Sequence, residues 1–133
     1  MNGRIWTSIG ALLAGASVAL GAVGTHFLKE TLHAPEGDLQ LLETAVRYQM
    51  YHSLALLFVG LLAARGDSRW LRATGVAFLV GIALFSGGLY ARVFADFRPA
   101  VHVVPFGGLS WLAGWPMLAF GAWSSKSSNS GPS

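Results

Sequence analysis

Cysteine is absent from this 133-residue chain. Disulfides, thiolate metal sites and thiol nucleophiles are therefore excluded, and any chemistry falls to His, Glu, Arg or Tyr. Charge is scarce as well: nine basic and six acidic residues make up 11% of the sequence, while 53% is hydrophobic. A chain sized for one domain and this poor in charge carries more apolar surface than a small soluble core can bury. The mean hydropathy of +0.53, and the gathering of apolar residues into long runs instead of amphipathic stripes, place that excess in a bilayer. A pI near 9.8 would point to nucleic acid in a soluble protein. Here the arginines punctuate the apolar runs, where they act as topology signals, and no nucleic-acid partner is expected.

What is present reads as an all-α integral membrane bundle of four transmembrane helices, over residues 5–27, 39–64, 73–91 and 103–123. The first run has no charged residue and, at about 1.5 Å per residue, covers roughly 34 Å, enough to cross the hydrocarbon. Gly10, Ala14, Ser17, Gly21 and Gly24 recur along it at three- and four-residue spacing, making a face that another helix can approach closely. Arg4 before an apolar stretch, with Ala19-Leu20-Gly21 as a loose cleavage site, also resembles a secretory signal. The stretch is longer than a usual signal core, and three spans would remain under that reading.

Pro35 and Gly37 end the first helix, and Asp38 is expected to cap the second. The second run is cleanly apolar only from Ser53 to Ala64. Residues 65–72 form a short basic turn and residues 92–102 a second polar connection. Pro116 is expected to kink or loosen the fourth helix. Residues 124–133 have the composition of a disordered polar tail.

Four spans put both termini on the same side. Arg4, Arg65, Arg69, Arg72 and Lys126 then face Lys29, Arg92 and Arg98 across the membrane, and the positive-inside rule places the termini in the cytoplasm. Trp6, Trp70 and Trp123 fall at one expected interface, as indoles of a headgroup belt would. The plasma (inner) membrane of a prokaryote is the expected location, since no Arg- and Ser-rich transit-like leader is visible.

Four segments carry a resemblance. They are Gly21-Ala22-Val23-Gly24-Thr25-His26, the run Glu43-Thr44-Ala45-Val46-Arg47-Tyr48-Gln49-Met50-Tyr51-His52, Leu84-Phe85-Ser86-Gly87-Gly88-Leu89-Tyr90, and Pro105-Phe106-Gly107-Gly108. Together they resemble the domain-of-unknown-function 423 family of small multi-span membrane proteins, to which vertebrate transmembrane protein 256 is similar. The likeness covers roughly residues 5–123, with Gly88 standing where the family pattern has Ser. It implies a small multi-span membrane protein and no established reaction.

The informative residues are the polar ones of the second span: Glu43, Arg47, Tyr48, Gln49, Tyr51 and His52. Helical spacing pairs Glu43 with Arg47, Arg47 with Tyr51, and Tyr48 with His52. Counted back from Ala64, His52 lies roughly 18 Å and Arg47 roughly 25 Å along the helix, in the outer half of the core. Intramembrane ionisable groups turn inward, pair, or mark a pathway. One reading is interhelical glue, with Arg47 paired to Glu43, capping carbonyls of the first or third span and meeting Ser86 or Tyr90. A second is a pocket for an ion, lipid headgroup or small solute. A third is a metal or haem site on His26, His52 and His102, which share one expected side. His33 reads as a solvated loop residue.

Gly87, Gly88, Gly107 and Gly108 fit close helix packing better than phosphate binding, because they lack a flanking Lys and a strand-turn-helix context. No Ser-His-Asp arrangement is visible, so the chain is not expected to be an enzyme, and no resident cofactor is assigned. The leading expectation is a non-catalytic structural or accessory subunit whose partners are membrane lipids and either other membrane protein subunits or copies of itself. The alternatives are a small oligomeric transporter or channel and a redox subunit binding haem or metal.

Overall fold

A backbone in hydrocarbon must satisfy its own hydrogen bonds, and long apolar runs do so as helices. The computed structural model describes residues 2–124, and every regular element among them is helical. Helix α1 runs Gly3–Glu30, α2 Glu36–Arg65, α3 Arg69–Ala95, and α4 Val104–Ser124 behind a 3-10 turn at Arg98–His102. Single π-helical turns interrupt α1 at Leu20–Gly24 and α3 at Ile82–Ser86. Three segments are long and apolar enough to cross a membrane: α1, α3, and α4 with its preceding turn. The 30-residue α2 is the longest single α-helical stretch described, and its polar first half keeps it out of that set. The expected polar tail lies outside the described residues from Ser125 on, and Ser124 closes α4.

The helix ends follow local chemistry. Pro35, not Asp38, occupies the α2 N-cap, because its fixed φ suits the extended residue before a helix. Asp38 lies in the first turn, where a carboxylate favours the positive end of the helix dipole, and it reaches Arg92 of α3 at 3.4 Å. Ser68 accepts a hydrogen bond from the Leu71 amide at 3.2 Å, so α3 starts at Arg69, earlier than its apolar run. Asp96 ends α3 in the left-handed region at φ 46, and its carboxylate pairs with Arg92 at 3.0 Å. α4 continues through Pro116 without a break.

Helix pairing is set by small residues seven apart. In α1, Gly3, Gly10, Ser17 and Gly24 are all buried. A Cβ at Gly10 would lie 2.7 Å from the Ser53 carbonyl oxygen, and one at Gly3 would collide with that of Gly60. α1 and α2 therefore run antiparallel with their backbones nearly touching. In α4, Gly107, Gly114 and Gly121 repeat the spacing and receive Phe85, Phe78 and Leu71 of α3. A seven-residue register holds one seam facing its partner at a shallow left-handed crossing.

Trp6, Leu56, Val59, Leu71, Phe78 and Trp111 form one buried cluster, and Leu28, Leu42 and Val93 a second. Three sequence-based expectations change here. Trp6 is no belt residue: it is fully buried, and its ring fills the notch at Gly75. Trp70 and Trp123 do stay exposed. Gly108 has nothing within 4 Å of an added Cβ, and Gly87 meets only the Ile82 carbonyl at 3.8 Å, so neither serves close packing.

Candidate functional site

The helical period divides the polar residues of α2 between two faces. Glu43, Arg47 and Tyr51 turn outward, and Gln49, His52 and Ser53 are buried. Arg47 pairs with Glu43 at 2.6 Å, both side chains being exposed. It makes none of the expected contacts with Ser86, Tyr90 or helix-end carbonyls, because the outward face lets the guanidinium reach its own i−4 carboxylate.

The inward groups instead join three helices. Gln49 donates from Nε2 to the Leu13 carbonyl of α1 at 2.9 Å, and its Oε1 accepts from the Tyr90 hydroxyl of α3 at 2.7 Å. Ser86, at the end of the α3 π-helical turn, donates to the Ala45 carbonyl at 2.8 Å. Ser53 donates to the Gln49 carbonyl at 2.6 Å. Each carbonyl so used has a second lone pair beyond its helical bond.

His52 sits in an aromatic nest. Its Nδ1 lies 2.8 Å from the Tyr48 carbonyl, and its Nε2 is 3.3 Å from the Trp115 indole nitrogen. An indole N–H only donates, so Nε2 is the acceptor and the proton belongs on Nδ1, where it bonds the carbonyl. Trp111 stacks on the imidazole at 3.8 Å and 5°, and lies nearly parallel to Tyr48 at 5.7 Å and 11°. The Trp111 indole N–H is itself tied to the Phe78 carbonyl at 3.2 Å.

The three histidines do not converge. His26 and His102 are exposed while His52 is buried, and both ring nitrogens of His52 are engaged. Among the described residues no three His, Cys, Asp or Glu side chains are grouped to hold a metal ion.

Between α2 and α4 lies a cleft of about 520 Å³, lined by Tyr48, His52, Phe85, Pro105, Gly108, Leu109, Trp111, Leu112 and Trp115. Sequence reasoning had singled out Tyr48, His52 and Gly108 but missed Trp111 and Trp115. Their four-residue separation on an apolar helix was the available signal.

A family profile with the description "Protein of unknown function (DUF423)" matches residues 20–108. The chain is 43% identical over 110 residues to a "UPF0382 membrane protein" of Haemophilus influenzae, covering 83% of this chain and 86% of that one. It is 36% identical over 122 residues to the "UPF0382 inner membrane protein YgdD" of Escherichia coli K12, covering 92% of each. A membrane protein of Staphylococcus saprophyticus is 35% identical over 120 residues, or 89% of this chain and 96% of its own. No solved structure gives a significant match. The resemblance read from the four sequence segments is thereby confirmed, and the chain belongs to the DUF423 family of helical membrane proteins, whose function is unknown.

Proposed function

We propose that the chain crosses the bacterial inner membrane four times with both termini in the cytoplasm. In this reading it is a non-catalytic accessory subunit that associates with other membrane proteins or with copies of itself. The four-span topology draws its support from α2 lying antiparallel on α1. Gly60 meets Gly3, Ser53 meets Gly10, Gln49 meets Leu13 and Leu42 meets Gly24. A helix that accompanies a membrane-crossing neighbour over that length crosses with it. At about 1.5 Å per residue α2 measures roughly 45 Å, so its ends project past a core of about 30 Å into the headgroups.

One observation carries the non-catalytic role: the buried polar side chains of this site are already bonded within the protein, Gln49, Tyr90, Ser86 and His52 across helices and Ser53 to its own helix. A transport path needs polar groups free to exchange partners with a solute, and a redox subunit needs ligands that converge on a centre. Extraction in mild detergent followed by native mass measurement tests the proposal. A defined complex or homo-oligomer is the expected result. A bare monomer, with proteoliposome flux that falls on Arg47→Ala or Glu43→Ala, would overturn it in favour of a transporter.

A further inference from the structure

An ion pair sits on the outward face of α2, at a depth where lipid offers it nothing. Gly3 of α1 lies against Gly60, and Gly10 against Ser53. That antiparallel register puts Arg47 about level with Ser17, near the middle of the uncharged run 5–27. At about 1.5 Å per residue, Arg47 then lies within about 5 Å of the bilayer midplane, and Glu43 about 6 Å further toward the N-terminal end of α2. Both side chains point away from the bundle, 51% and 69% exposed. Tyr51, one turn along the same face, is also exposed, and its hydroxyl makes no hydrogen bond among the described residues.

Ionisable groups at this depth turn into a bundle or a water-filled cavity and find partners there. Arg47 gives one N–H to Oε1 of Glu43 along its own helix, which leaves its other donors and Oε2 of Glu43 without partners among the described residues. Leu54, Phe58 and Leu61 continue the stripe toward the C-terminal end of α2, all three exposed.

We infer that this face is where two copies of the chain meet, α2 against α2, on a twofold axis along the membrane normal. All copies insert in one orientation, so that axis brings residues of equal number to equal depth. Two carboxylates and two guanidiniums then close into a ring of alternating charge, each Arg47 bridging both Glu43 side chains, while Leu54, Phe58 and Leu61 pack against their equals.

Depth and charge select this occupant. Lipid headgroups begin about 15 Å from the midplane of a 30 Å core, out of reach of Arg47, and acyl chains hold no acceptor for a guanidinium. A foreign helix must supply an acid and a base together near the midplane, where such residues are rare. A second copy supplies both by symmetry. The inference rests on the four-span, self-associating reading above and names its partner and surface.

The test is cross-linking of the full-length chain, itself free of cysteine, in isolated inner membranes oxidised with copper phenanthroline. Leu54→Cys and Leu61→Cys should each give a disulfide-linked dimer. Leu12→Cys on α1 and Leu112→Cys on α4, both exposed, should not. A charge exchange in the Leu54→Cys background then identifies the partner. Glu43→Lys leaves two positive charges per copy and Arg47→Glu two negative ones, so either variant alone should lose dimer at least about tenfold through like-charge contact. Expressed together with tags of different size, the two should cross-link to each other and not to themselves. Repulsion within each helix is unchanged by mixing, so only contact between copies gives that result.

Absence of dimer at Leu54 and Leu61, equal dimer at all four positions, or no recovery on mixing the charge variants would overturn the inference. A native-mass dimer that cross-links only through Leu12 or Leu112 removes this surface and leaves self-association standing, whereas a bare monomer removes both. Same-side labelling of Gly37→Cys and Gly66→Cys in cells removes the topology beneath them.

Discussion

At the residue scale, Gln49 is the side chain on which most of the fold's specificity turns. One amide bonds α1 through Leu13 and α3 through Tyr90, and among the described residues no other side chain of the site hydrogen-bonds to two other helices. Interhelical hydrogen bonds in membranes average about 0.6 kcal/mol and reach about 1.7 kcal/mol. Gln49→Leu removes two and orphans the Tyr90 hydroxyl, so a loss of about 1–2 kcal/mol is expected in a denaturing-detergent titration. The outward-facing Glu43–Arg47 pair joins no second helix. With four spans it lies beside hydrocarbon, so a double-mutant cycle with Glu43→Ala and Arg47→Ala is expected to give a coupling above the roughly 0.3–0.5 kcal/mol of a solvated i,i+4 pair.

The sequence already marked Gln49, Ser86 and Tyr90, since polar residues in an apolar chain are conspicuous. It did not show which of them meet. Arg47 drew the expected contacts because it is the strongest charge on α2. Yet a helix polar on two adjacent faces does not reveal its rotation, and the outward face lets a guanidinium keep its neighbouring carboxylate and remain exposed.

At the scale of elements, glycines that look alike in the sequence do unlike things. Gly10 is where the α1 backbone meets that of α2. Gly10→Leu must push the helices apart, and a loss of at least about 2 kcal/mol is expected, the range of overpacking a tight core. Gly108 faces open space, and Gly108→Ala should be neutral or stabilising by up to about 1 kcal/mol through helix propensity. Thermal unfolding of the two variants side by side checks the contrast. Similar losses would contradict it.

Of the seven-residue series Gly3, Gly10, Ser17, Gly24 and Gly107, Gly114, Gly121, the sequence marked Gly10, Ser17, Gly24 and Gly107 as packing residues, while Gly3, Gly114 and Gly121 were not marked. Gly75 and Gly81 gave less signal. Each is a notch for one large ring, Trp6 and Trp111 respectively, and only the crossing of distant helices makes that pairing. The π-helical turns at Leu20–Gly24 and Ile82–Ser86 left no mark in composition, since a one-residue bulge does not disturb an apolar run.

At the scale of the whole molecule, run length and charge punctuation were enough to place four helices, because hydrocarbon leaves a long apolar segment little choice but to be helical. The aromatic cleft was not legible, being built from α2, α3 and α4 at once. The central claim is that α2, polar in its first half, still crosses the bilayer beside α1. It predicts that the connections at its two ends lie on opposite sides of the membrane.

A chain without cysteine makes this directly measurable. Gly37 and Gly66 flank the crossing, and an added Cβ at either meets nothing within 4 Å. In intact cells with a permeable outer layer, a membrane-impermeant maleimide should label Gly37→Cys and should label Gly66→Cys only after the inner membrane is opened. Equal labelling of both from outside, or of neither before lysis, would contradict the four-span account.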